Sequence, residues 1–288
     1  MLTILFDGIA YGMLLFVLAV GLAVTLGLMN FINLAHGAFA MAGGYVTVLL
    51  MNRAGVPFLA TLPLAFLAAA LLGGLLEPTL YRRMYGRPHL DQVLFSIGLV
   101  FMAITAADYL LGSSQQNIQV PPWLQGRLDL EWIGIGRYRL FVIVVCALLA
   151  IALQWMLART RFGSRLRAAV DDRRVASGLG LDVNRIFLAT FVVGSGLAGL
   201  GGALGAEVFG LDPSFPLKFM IYFLIVCAVG GTTTITGPLL GALLLGIADV
   251  FGKYYAPKLG AFIVYALMIA ILLVRPQGLF ARASARRG

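Results

Sequence analysis

LARTRFGSRLRAAVDDRRVASGLGLDVNRIFLATF, residues 157–191, is the only long, strongly charged segment in a chain that is otherwise mostly hydrocarbon. Seven arginines (Arg159, Arg161, Arg165, Arg167, Arg173, Arg174 and Arg185) stand against Asp171, Asp172 and Asp182, a local balance of +4. On both sides of it the sequence turns apolar for the ~20 residues that an α-helix needs to cross a hydrocarbon core. The segment therefore reads as a charged elbow between two membrane helices.

Composition agrees. With 61% hydrophobic and 11% charged residues, and a mean hydropathy of +0.96, the chain lies far from soluble proteins, in which roughly 25% of residues are charged. Its apolar runs are too long for the ten-residue alternation of a membrane barrel. The expected fold is all-α, a polytopic transmembrane helical bundle of about 8–9 membrane segments with two broken or re-entrant stretches. It forms one transmembrane domain over 1–288 with a cytoplasmic loop at about 158–185. The net charge of +9 does not call for nucleic acid, because the arginines cluster between spans, where the positive-inside rule assigns them to the cytoplasm. Cys146 and Cys227 sit inside apolar runs and suggest neither a disulfide framework nor a metal. The amino-terminal MLTILFDGIAYG lacks a basic leader and reads as a first membrane helix.

The first apolar stretch, Ile9 to Leu50, is too long for one crossing and is interrupted by Met29-Asn30-Phe31-Ile32-Asn33-Leu34-Ala35-His36-Gly37. A turn at Asn52 to Pro57 precedes spans at Leu59–Leu80 and Asp91–Leu111, joined by a basic loop with Arg82, Arg83 and Arg87. Gly112 to Tyr138 reads as an outside loop, with Trp123, Trp132 and Tyr138 of interfacial type. Spans follow at Leu140–Leu157 and Ile186–Val208. Leu217–Val229 leads to a second break, Gly230 to Pro238, and Leu239–Val250 and Ala261–Val274 complete the set. Nine crossings put the amino terminus outside and the carboxyl terminus in the cytoplasm. Gly194, Ala198, Gly202 and Ala206, with Ser195, Gly199 and Ala203 beside them, are small residues at the spacing that lets membrane helices pack closely, and Gly237 and Gly241 read likewise.

The predicted spans hold no charge at mid-depth. Glu77, Asp108, Glu207 and Asp249 fall near span ends, where interfacial water is expected to solvate them. An ionisable group at the bilayer centre costs at least ~2.5–3.5 kcal/mol and commonly marks an ion or proton relay, so ion-coupled transport finds no support. No phosphate-binding G-x-x-x-x-G-K-[ST] loop occurs, and neither H-E-x-x-H nor G-x-S-x-G is present. The chain reads as neither an enzyme nor its own motor. The two breaks remain. Asn30, Asn33, His36, Thr232, Thr233 and Thr234 could offer uncharged hydrogen-bonding groups along a substrate pathway, since interrupted backbone at membrane depth lines a cavity or is buried in protein. The same residues also read as tight turns at the cytoplasmic face, with His36 a hydrogen-bonded structural group.

GLMNFINLAHGAFAMAGGYV (27–46), SRLRAAVDDRRVASGLGLDVNR (164–185) with the FLATFVVGSGLAGLGGAL after it, and VGGTTTITGPLLGALLLG (229–246) together resemble the inner-membrane permease of the bacterial high-affinity branched-chain amino-acid ABC importers. The threonine run departs from the family's glycine-rich turn, and relatives that import urea or short amides share the architecture. The resemblance implies alternating access to branched-chain amino acids, a homologous second permease subunit, two cytoplasmic ATPase subunits that bind the ATP, and a periplasmic solute-binding protein. It implies no cofactor on this chain and a place in the bacterial inner membrane. In the family the matching loop carries a short coupling helix, here within Ala168–Gly180. Arg167, Asp171, Asp172, Arg173 and Arg174 would be its charged contacts, and Gly178 and Gly180 its sharp end. A passive small-solute channel is the alternative of a different class.

Overall fold

A computed structural model describes residues 1–130, 133–231, 234–275 and 278–279. The described chain is helical almost throughout: α1 (Leu2–Met29), α2 (His36–Ala54), α3 (Phe58–Thr79), α4 (His89–Leu111), α5 (Arg137–Arg159), α6 (Arg161–Asp171), α7 (Arg173–Gly178), α8 (Val183–Phe209), α9 (Phe215–Gly230), α10 (Thr236–Tyr255) and α11 (Gly260–Val274). Segments within α1, α3, α4, α5, α8 and α10 are long and apolar enough to cross a membrane, and α9 and residues 262–274 are shorter apolar helices. With the mostly buried α2, this gives the expected all-α bundle with two interrupted stretches.

α8 is the axis of the bundle, and α1, α2 and α3 pack around it. Lipid provides no hydrophobic drive for helices to associate, so close backbone approach and dispersion must hold them together. The two rows of small residues on α8 provide it. Gly194 meets Gly21 of α1, Ser195 meets Gly73 of α3, and Gly199 and Gly202 meet Gly43 and Ala40 of α2. A Cβ on Gly43 or Gly202 would overlap the facing backbone. α1 and α10 cross in the same way at Gly12 and Gly246, and Gly230 packs on Gly237 and Gly241. α3, α4 and α5 enclose this core and leave Leu67, Leu71, Leu94, Phe101, Leu148 and Ile151 exposed, as the lipid-facing side of a bundle requires.

Contacts between helix ends define two faces. Asp7 at the start of α1 pairs with Arg139 at the start of α5, whereas Met29 at the end of α1 packs on the same apolar cluster as Leu157 at the end of α5 and Phe162. One face carries Asn30, the basic loop at 81–87, α6 and α7; the second break lies deeper, where Gly230 packs on Gly237 and Gly241 close to the crossing of Gly12 with Ala242, and Leu279 donates to Val229 O. The opposite face carries residues 55–57, 112–130, 133–136, 210–214 and 256–259. Among the described residues six helices are long and apolar enough to run from one face to the other, and α2, α9 and α11 complete the bundle.

Several expectations need correction. α2 continues through Asn52 and Arg53 to Ala54, so the turn shrinks to residues 55–57. The outside loop holds a short antiparallel hairpin, Arg127–Leu130 with Ile133–Gly136. Tyr138 turns inward: it is buried and donates to Leu204 O at 2.6 Å. Trp123 is half-exposed, and Trp132 lies outside the described residues. Glu77 and Asp249 are buried rather than bathed in interfacial water. Arg82 folds back on Glu77 at 2.8 Å and Lys253 on Asp249 at 2.6 Å, so a neighbouring cation does the work assigned to water.

Candidate functional site

The charged elbow is two helices rather than one. Thr160 starts α6 by accepting from Gly163 N at 3.3 Å, and Gly163 lets the helix lie against the Leu157 carbonyl, where a Cβ would clash. Leu166 and Ala169, with Phe162 and Val170 beside them, form its inner stripe, spaced as one helix face requires. The chain breaks at Asp172, whose carboxylate caps α7 by accepting from Arg174 N at 2.8 Å and Val175 N at 3.0 Å. Gly180, at φ +82, makes the turn out of α7 in a conformation that favours glycine. Gly178 is instead the last residue of α7, so of the two expected end glycines only Gly180 makes the turn.

The elbow is seated on the bundle by a second apolar cluster. Leu166, Ala169 and Ala176 meet Val183, Ile186 and Phe187 at the start of α8, together with Met29 at the end of α1 and Tyr85 of the basic loop. The elbow thus touches the central helix, the end of α1 before the first break and the 81–87 loop. The residues expected to carry coupling divide into two groups. Arg167 donates to Leu157 O, Asp172 is the cap, and Arg173 donates to Asn184 Oδ1 at 3.1 Å while lying 5.6 Å from the Phe187 ring centroid. These three bind the elbow to its own protein. Asp171 and Arg174 are exposed and have no side-chain partner among the described residues. The elbow also presents two apolar side chains, Val175 at 58% and Leu179 at 77% exposure.

The first break runs into the bundle. Asn30, at φ 50, closes α1 and is exposed. Residues 31–35 then turn back, Ile32 N donating to Gln92 Oε1 at 3.1 Å and Ser96 Oγ to Ile32 O at 3.5 Å. Asn33 is buried beside the Tyr81 hydroxyl, with no aligned hydrogen bond for its amide among the described residues. His36 Nε2 donates to Leu18 O at 3.0 Å. At the second break Thr234 Oγ1 accepts from Gly237 N at 3.3 Å and from Thr236 at 3.1 Å, a cap on the start of α10. Thr232 and Thr233 lie outside the described residues. Among the described residues no hydrogen bond links Thr234 to Asn33 or His36, and no group of His, Cys, Asp and Glu is placed to hold a metal ion. Gln92 and Ser96 went unnoticed in the sequence, although two polar residues four apart in an apolar span mark a helix face turned toward polar partners.

An apolar bundle with two interrupted stretches and a seated, charged elbow on one face defines the class: an integral membrane protein of the transport type. The chain belongs to the family described as branched-chain amino acid transport system / permease component, which matches residues 4–272. It is 27% identical to the high-affinity branched-chain amino acid transport system permease protein BraD of Pseudomonas aeruginosa, over 96% of this chain and 95% of that one. It is 26% identical to the corresponding LivH protein of Escherichia coli K12, over 96% and 94%. It is 30% identical to the probable branched-chain amino acid transport permease protein LivH of Methanocaldococcus jannaschii, over 96% and 91%. No solved structure matches the chain.

Proposed function

We propose that this chain is the membrane-spanning permease subunit of an ATP-driven importer of branched-chain amino acids, working by alternating access in a bacterial inner membrane. It works with a homologous second permease subunit, two cytoplasmic ATPase subunits and a periplasmic solute-binding protein. It binds no cofactor itself; ATP is held by the partner ATPases. Family membership supports the transport role, and the positive-inside rule assigns the arginine-rich face, with Arg275, to the cytoplasm.

The observation that carries the reading is the elbow. An exposed apolar tip at Val175 and Leu179, flanked by Asp171 and Arg174, has the makings of a docking surface, because apolar anchors ringed by charge are what protein interfaces use. Its seat on Met29, Tyr85 and Phe187 gives a docked partner mechanical purchase on the bundle. Alternating access then follows from a bistable packing that the partner biases. Substrate-stimulated ATP hydrolysis by the reconstituted complex tests the reading. Leucine should stimulate it and urea should not. Stimulation by urea alone would move the substrate to the amides, and solute flux through liposomes holding this chain alone would make it a passive channel.

A further inference from the structure

The face opposite the elbow carries a cleft centred on Arg139, which lines three adjoining cavities. The first, of about 100 Å³, has an apolar floor of Leu14, Val142, Val208 and Val250, with Asp7 and Arg139 on its polar side. The second, of about 370 Å³, opens beside Tyr138, Glu207 and Gln125. The third, of about 340 Å³, reaches Thr3 and Arg127. Asp7 and Arg139 are ion-paired, with side-chain exposures of 21% and 45%. Glu207 is exposed and has no basic partner among the described residues.

Resting on the importer reading, we propose that this cleft is a subsite for a free α-amino acid with a small branched aliphatic side chain. The α-carboxylate takes Arg139, the α-ammonium takes Asp7 or Glu207, and the side chain enters the apolar cavity. Opening a partly buried ion pair ordinarily strands two charges. A zwitterion brings both replacements at once, so each side chain exchanges one charged partner for another. The floor of the cleft sets the size. A cavity of about 100 Å³ with Leu14, Val142, Val208 and Val250 on its floor has room for a small branched aliphatic group. The cleft also faces the side from which an imported solute arrives.

The test uses the assembled importer carrying Val208→Cys, a position 38% exposed, labelled with a water-soluble maleimide. The native Cys146 and Cys227 are buried and stay silent. Leucine or valine at four times its dissociation constant should slow labelling on the order of fivefold by mass action. Urea should not, and Val208→Cys with Arg139→Gln should lose the protection. Labelling indifferent to leucine, in a complex whose wild type imports leucine, would overturn the inference. So would labelling blocked without leucine and restored by stripping lipid, which would make the cleft a lipid site. A wild-type complex that imports no branched-chain amino acid would overturn the functional reading and this inference with it.

Discussion

His36 at the first turn of α2 donates from Nε2 to the carbonyl oxygen of Leu18, 3.0 Å away in the middle of α1. Leu18 lies eleven residues before Met29, which at 1.5 Å per residue sets it about 16 Å inside the end of α1. Residues 30–35 must run back along α1 by roughly that distance before α2 begins. The first break is thus a re-entrant stretch buried in protein, the situation in which non-helical backbone is tolerated at membrane depth.

Its peptide groups depend on α4. Replacing Gln92 by Leu removes the acceptor for the part-buried Ile32 N and leaves that donor unsatisfied, at a cost of up to about 1–3 kcal/mol. The purified Gln92→Leu protein should melt measurably below wild type in detergent, and Gln92→Glu, which keeps an acceptor, should melt closer to it. Equal melting of Gln92→Leu and wild type would show that the break is satisfied elsewhere.

The central crossing tolerates no side chain. Gly202→Val should abolish accumulation of folded protein, because the Ala40 carbonyl occupies the place of the new Cβ. Gly98→Ala on the outer surface of α4, where nothing lies near, should accumulate normally and gain up to ~1 kcal/mol of helix propensity. Membrane-fraction immunoblots with a fluorescence-detected gel-filtration profile distinguish the two.

The buried Glu77 carboxylate depends on Arg82. Arg82→Met leaves a buried charge uncompensated, and such losses cost about 3–5 kcal/mol. Adding Glu77→Gln should return much of that stability. A double variant no better than Arg82→Met, in the same thermal assay, would mean that the guanidinium acts by packing rather than by charge.

Asp212, in the connection between α8 and α9, is held below the ordinary carboxylate range. Burial alone would raise it, but the Lys218 and Ser214 side chains that donate to it outweigh burial. A carboxyl depressed in the folded state stabilises the protein above its unfolded pKa of ~3.9, and the contribution disappears as pH falls through the lower folded value. Lys218→Met should therefore lower the melting temperature at pH 7, and the gap to wild type should close as the pH drops below about 4. A gap constant across that range would remove the ion pair from the account.

How far the sequence carries the structure is plain from particular residues. The two small-residue rows of α8 are visible because glycine and alanine at a four-residue period have one physical use in a membrane helix. The elbow is visible because seven arginines interrupt hydrocarbon. What the sequence hides is pairing across the chain. Glu77 and Arg82 look like a span end and a basic loop until the chain folds one onto the other. Gln92 and Ile32 are 60 residues apart, and nothing local announces that one satisfies the other. The division of labour within the elbow is hidden for the same reason. Asp171 and Asp172 are neighbours of identical chemistry, and only the break between α6 and α7 makes one a cap and leaves the other exposed.

The central claim is that the elbow lies in the cytoplasm and seats a partner ATPase. Leu179→Cys places a reactive thiol at its most exposed apolar point in a protein whose own cysteines are buried. Membrane-impermeant maleimide should label it in inside-out vesicles and not in right-side-out ones, and the assembled ATPase subunits should protect it. Labelling from the outside, or labelling from the inside at the same rate with and without the ATPases, would contradict the account.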